Sequence, residues 1–226
     1  MGTPSASATD AAASRFVEIA EAYRTEAGRR LHAQHERRYR ELSELSGPPG
    51  EITLLGPDVV VSRCGRTVRL SEQSARLVVL LAGARRAVTR DWLITAMWPD
   101  LDYETGRKRL KVATHRLREA LELPPGEFVV ADRRGVALDV TGWRVDLWGF
   151  RDLVPGDTTA RLRAYDMYTG DIAFRQLAYD DAVTDLRDDV REEWLSLGAE
   201  LVASGELDAA TVAKRVRELG IERAVL

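Results

Sequence analysis

The stretch Gly106-Arg-Lys-Arg-Leu-Lys-Val-Ala-Thr-His-Arg-Leu-Arg-Glu-Ala-Leu121 decides how this chain is read. At about 100° per residue, Leu110, Ala113, Thr114, Leu117 and Leu121 gather on one side of a helix. Lys108, Lys111, Val112, His115 and Glu119 gather on the other, flanked by Arg116 and Arg118. Two readings fit this helix taken alone. A solvated basic face is the usual fate of a charge run. A face that enters a DNA groove would use Arg and Lys for phosphate or guanine acceptors and a short apolar Val112 against a thymine methyl. The flanking sequence has to choose between them.

Upstream, Thr89-Arg-Asp-Trp-Leu-Ile-Thr-Ala-Met-Trp-Pro99 predicts a short helix with Thr89 as its cap and Pro99 as its stop. Its apolar set is Trp92, Leu93, Ala96, Met97 and Trp98, and a connector from Pro99 to Tyr103 leads to the cationic helix. The pair reads as a helix-turn-helix with a lengthened turn. Before it, Ser71 to Gly83 carries Leu77-Val-Val-Leu-Leu-Ala82, the pattern of a buried first helix. After it, Glu127-Phe-Val-Val-Ala131 and Val136-Ala-Leu-Asp-Val140 predict two strands around Asp132-Arg-Arg-Gly135. A hairpin that follows a cationic helix and presents Arg133 and Arg134 at its turn is the wing of a winged helix, whose tip can reach backbone or an adjacent groove.

Residues 51–73 contain three short β-rich runs, Glu51-Ile-Thr-Leu-Leu-Gly56, Val59-Val-Val-Ser62 and Thr67-Val-Arg-Leu70, which predict a small sheet ahead of the helices. Sheet, three helices and hairpin in that order resemble the OmpR-type winged helix. More narrowly, Leu54-Leu-Gly-Pro57, Ala87-Val-Thr-Arg-Asp-Trp-Leu93, Ala96-Met-Trp98 and Gly106-Arg-Lys-Arg-Leu-Lys-Val112 with Arg116-Leu-Arg118 are similar to the DNA-binding domain of the SARP family of bacterial antibiotic-regulator activators. The resemblance covers roughly residues 51–150, and several motifs in one order are more specific than any single one. It implies that Lys108, Lys111, Val112, His115, Arg116 and Arg118 face double-stranded DNA, with Arg133 and Arg134 of the wing beside them. Lys111 stands where the family often has Gln. In such regulators the loop corresponding to Trp98-Pro-Asp-Leu-Asp-Tyr-Glu104 faces RNA polymerase. Asp100, Asp102 and Glu104 are therefore candidate contacts to a sigma subunit or another polymerase surface, with capping of the next helix as the structural alternative.

Composition bounds the function. The chain has 226 residues, 45% of them hydrophobic, and a net charge of −3. That is enough for one or two compact domains. Charge is unevenly placed: residues 51–121 hold 13 Lys or Arg against 8 Asp or Glu, whereas residues 157–226 hold 9 against 15. A basic module joined to an acidic one suits a DNA-binding unit with a protein-facing partner, and a solvated acidic helical surface is the plainer alternative. The longest apolar run is far short of a membrane span and no leader pattern opens the chain, so a cytoplasmic protein without membrane contact is expected. The single cysteine, Cys64, excludes an internal disulfide.

No constellation for catalysis stands out, and neither enzyme activity nor a cofactor is expected. His32 and His35 lack a third ligand, there is no phosphate-cradling loop or nucleophile elbow, and Asp180-Asp181 and Asp188-Asp189 read as pairs on polar surfaces.

The expected fold is α+β in three parts. Residues 1–47 comprise a disordered start and a long helix over 11–45, which leaves dimerisation open. Residues 51–150 form the winged-helix domain, and residues 157–226 an all-α, TPR-like module with helices over 160–168, 180–204 and 208–218. Tyr168-Thr-Gly-Asp171 with Leu186, Arg191, Trp194 and Leu195 resembles the opening of the bacterial transcriptional activator domain that follows the DNA-binding domain in SARP-like regulators. Only about 70 residues remain there, fewer than such arrays need, so a fragment of a larger regulator is expected. The reading from another class is a protein-interaction scaffold with weak or no DNA binding.

Overall fold

A computed structural model describes residues 50–63, 65–124, 126–133 and 135–221. The segment expected to form a long N-terminal helix, with His32 and His35, as well as Cys64 and Arg134, lies outside the described residues. What is described is a mixed fold of seven helices, one four-stranded sheet and one two-stranded hairpin.

The three expected β-runs form β1 (Gly50–Thr53), β2 (Val60–Arg63) and β3 (Arg66–Arg69), an antiparallel meander in register Ile52↔Val61 and Val61↔Val68. Ile52 and Val61 point inward while Glu51 and Thr53 point outward, the period-2 alternation of a sheet with one covered face. The sheet holds a fourth strand that the sequence reading lacks. β6 (Trp143–Val145) lies parallel to β1, with Gly50↔Trp143 and Ile52↔Val145. Three residues with a partner some ninety positions away carry no local signature, whereas a hairpin does.

α1 (Glu72–Ala84) is capped by Ser71, whose hydroxyl accepts the Ser74 N–H. Buried on nearly every side from Ser74 to Ala84, it forms the centre of the molecule, as an all-round apolar helix must. α2 (Arg90–Met97) starts at the expected cap, Thr89, which accepts the Trp92 N–H at 3.2 Å. α3 (Tyr103–Ala120) is the cationic helix, and β4 (Val129–Ala131) with β5 (Val136–Leu138) is the hairpin. Val88, ahead of α2, pairs with Val136 and fastens β5 to the helical layer.

Beyond β6 come α4 (Asp146–Leu153), which the sequence did not announce, and α5 (Thr158–Met167), α6 (Asp181–Ala203) and α7 (Ala209–Glu218), close to the expected helical spans. The quoted motif residues converge. Trp194 stacks between Tyr165 and Tyr168, with ring centroids at 5.1 and 4.8 Å. Tyr168 donates its hydroxyl to Asp171, and the Arg191 guanidinium closes on the same carboxylate. Burial and the neighbouring carboxylate push the Tyr168 phenol far above its usual range.

The helical half is seated on the sheet by backbone hydrogen bonds. The Thr169, Ala173 and Arg175 amides donate to the carbonyls of Leu55, Gly56 and Pro57, and Gln176 bridges Val59 and Leu70. Buried Arg187 holds the same connector by donating to the Ile172 and Leu177 carbonyls. Of the Asp180-Asp181 pair expected on a polar surface, Asp181 is exposed, whereas Asp180 is largely buried, caps α6 and meets Arg76 of α1 at 2.7 Å. Its partner is a hundred positions away in sequence, so local pattern cannot show it. The buried residues of both halves form one continuous cluster.

Candidate nucleic-acid interface

α3 is built to hold one face inward and offer the other. Leu110, Ala113 and Leu117 are buried, Leu121 is buried just beyond the helix end, and the Thr114 hydroxyl is returned to the Leu110 carbonyl at 2.8 Å. Gly106 is buried where α3 crosses α2: a Cβ there would stand 2.1 Å from Ile94 Cγ2, so only glycine permits the approach. The helix is started by Asp102, whose carboxylate accepts the Thr105 N–H at 3.0 Å, a bond that holds its pKa below the usual carboxylate range. Capping, one of the two roles offered for Asp102 by the sequence, is thus occupied. Glu104 pairs with Arg107 at 3.2 Å, and Asp100 lies exposed in the connector.

On the outer face Lys108, Lys111, Val112, His115 and Arg116 are all exposed, as the helical spacing requires. Val112 is 48% exposed, an apolar side chain left in solvent at the centre of a cationic surface. His115 stands 3.4 Å from Glu119 one turn on. Arg109, absent from the sequence reading, is also exposed and lies seven residues before Arg116, hence on the same flank. Its signal was the i, i+7 spacing.

The hairpin turn carries Arg133 into solvent. Gly135 allows the turn to close: its φ is +152°, and a Cβ would come within 2.1 Å of the Val88 carbonyl oxygen. Arg118 departs from its expected place among the DNA-facing residues. It is half-buried, its Nε donates to the Glu127 carbonyl at 3.1 Å and its Nη2 donates to the Val129 carbonyl. From α2, Arg90 Nη2 donates to the Asp132 carbonyl at 2.6 Å. The basic residue at the end of α3 thus grips the hairpin backbone, a role that the helical spacing could not distinguish from phosphate contact.

Elsewhere, a cleft of about 590 Å³ lies between the outer side of β1 and β6 and the α4–α5 pair, lined by residues including Thr53, Arg144, Trp148 and Arg163. Among the described residues no group of three or more His, Cys, Asp or Glu side chains could hold a metal ion, and no helix is long and apolar enough to cross a membrane.

No protein-family model matches the chain, and no curated protein matches it. The fold is similar to that of Mycobacterium tuberculosis EmbR, solved in complex with a low affinity phosphopeptide, at 19% identity and a TM-score of 0.52. The match covers 78% of this chain and 51% of that one, so the chain spans about half the length of the EmbR chain. At this identity the likeness is one of fold alone.

Proposed function

We propose that the chain is a sequence-specific, duplex-DNA-binding transcriptional regulator of SARP-like type. In this reading residues 51–150 are an OmpR-type winged helix, α3 is the recognition helix and the β4–β5 hairpin is the wing. Residues 157–226, with α5 to α7, are the start of a TPR-like activator module, and the protein works in the cytoplasm. The observation that carries it is the outer face of α3: Lys108, Lys111, Val112, His115 and Arg116 exposed together, with Arg109 on the flank, while Arg133 is exposed at the hairpin turn. A short apolar residue between long cations suits base edges between phosphates better than it suits water. The likeness of fold to EmbR supports the regulator class over an enzyme. RNA polymerase is the proposed protein partner, through the connector that carries Asp100.

Duplex binding measured across salt concentrations tests the reading. Affinity falls steeply with salt as neutralised phosphates release counterions. On a duplex recovered by binding-site selection, Arg116→Ala loses about 1–3 kcal/mol and blurs preference at one position, while Arg133→Ala weakens all sequences alike. Binding that is undetectable at low salt leaves the scaffold alternative standing. Equal loss on selected and random duplexes for Arg116→Ala removes its base-reading role.

A further inference from the structure

We propose that Arg118 is a positioning residue which, with Arg90, clamps the hairpin at a set angle to α3 before any DNA is bound, and that this angle delivers Arg133 to the duplex. The inference rests on the DNA-binding reading and adds to it a residue the sequence placed on the DNA instead.

The hairpin needs such a clamp. β4 and β5 share three residue pairs, and an isolated two-stranded ribbon of that length is marginal in water. β5 is fastened on its far side by the Val88↔Val136 bridge. Among the described residues β4 has no strand on its far side. The Phe128 carbonyl accepts the Asp139 N–H from the β5 side, so the Val129 carbonyl that follows turns to the open edge; just before β4, where the φ of Phe128 is +66°, the Glu127 carbonyl accepts the Val129 N–H. That edge is where the Arg118 fork arrives from α3, with Nε on Glu127 and Nη2 on Val129. One guanidinium edge thus donates to two main-chain carbonyls, one just before β4 and one within it. Arg90 then takes the Asp132 carbonyl at the turn, so β4 is tied at its root to α3 and at its tip to α2. These are the two helices that would set the protein on DNA.

The chemistry separates this role from phosphate contact. Lysine serves a phosphate well as a point charge, but its single ammonium cannot reproduce a planar fork on two carbonyls. Arg118→Lys therefore behaves like Arg118→Ala if the residue positions the hairpin, and like the unaltered protein if it meets phosphate.

The experiment has two arms on the full chain. In the absence of DNA, amide hydrogen exchange is followed in Arg118→Ala, Arg118→Lys and Arg90→Ala. Loss of a charge-assisted bond to a partly buried carbonyl is expected to speed exchange in residues 129–131 and 136–138 by about tenfold or more in both Arg118 variants. Amides within α3 keep their protection, which reports that the fold is intact. Arg90→Ala is expected to loosen only the turn. In the second arm, affinity for a mixed-sequence duplex at low salt is measured in a double-mutant cycle of Arg118→Lys with Arg133→Ala. Positioning predicts that Arg133→Ala weakens binding in the parent but costs little more once Arg118 is lysine, because the tip is already misplaced. Unchanged exchange in the hairpin overturns the clamp. Faster exchange with additive binding losses overturns its use in binding. Failure of the unaltered chain to bind any duplex overturns the DNA-binding reading and with it this use of the clamp, while the exchange arm still decides whether the clamp exists.

Discussion

Asp102 stands at the start of α3 under two demands that pull apart. As a cap it must keep its carboxylate turned back onto the Thr105 N–H, and as a docking acid it would have to turn outward. Glu104 is engaged in the same way, one turn into the helix, by Arg107. Asp100 has no such duty to the helix and is exposed, so the two aspartates separate experimentally. Asp102→Ala is expected to lower the melting temperature and to weaken DNA binding, because the first turn of α3 frays. Asp100→Ala is expected to leave both unchanged while reducing promoter activation in a reconstituted transcription assay. Full activation by a folded Asp100→Ala protein would remove the polymerase contact from the connector, and equal melting of Asp102→Ala and the parent would remove the cap.

The pairing of α2 with α3 turns on one glycine. Inside a helix, glycine is about 1 kcal/mol worse than alanine, so Gly106 is retained for space rather than for helix formation. The atom in its way would be Ile94 Cγ2, a branch methyl close to the backbone that cannot swing aside as the end of a long side chain can. Gly106→Ala is therefore expected to destabilise the protein by about 1–3 kcal/mol in chemical denaturation, with overpacking outweighing the propensity gain. Ile94→Ala placed in the Gly106→Ala background should recover part of the loss. If Gly106→Ala instead stabilises the chain, the two helices do not meet as closely as described. The hairpin obeys a similar rule through Gly135 against the Val88 carbonyl, so both approaches that shape the cationic surface depend on a missing side chain.

Across the whole molecule, Asp146 ties the two ends of the sheet region together. It opens α4, yet its carboxylate accepts the N–H groups of Leu54 and Leu55, just past β1, at 2.8–2.9 Å, and that of Leu147 at 2.7 Å. Burial raises its pKa to about 6, against the pull of those amides toward the charged form. A carboxyl that binds its proton more tightly folded than unfolded favours the folded state below about pH 4, and that advantage is lost as pH rises through about 6. The shift corresponds to an order of magnitude of about 2–3 kcal/mol. Asp146→Asn has no such proton, so the stability of the parent relative to the variant should fall by roughly that amount between about pH 4 and pH 7 in denaturant titrations. A difference that stays flat with pH would mean the carboxyl titrates alike in both states. Further ties between the halves are the ion pairs Arg76–Asp180, Arg85–Asp152 and Arg151–Glu193, which run from α1 to the α6 cap, from just past α1 to α4, and from α4 to α6.

Residues 106–121 announced their helix and both of its faces because a 3.6-residue period is a property of neighbours along the chain. The Thr89 cap, the strands around Asp132 to Gly135 and the meander of β1 to β3 were legible for the same reason: each needs only nearby residues and a turn. So were the approximate spans of α5, α6 and α7. The parallel pairing of β6 with β1, the burial of Asp180 against Arg76, the amide partners of Asp146 and the Arg118 fork on the hairpin were not. Three of these join groups about ninety or more positions apart. For Arg118 the separation is only about ten residues, but the hairpin folds back at an angle that no periodicity encodes. Local pattern determined which faces are apolar and which are charged, because hydrophobic spacing acts along the chain. Tertiary structure decided which charged groups face solvent and which are spent on backbone, because a buried carbonyl or amide must find its partner wherever the fold brings one.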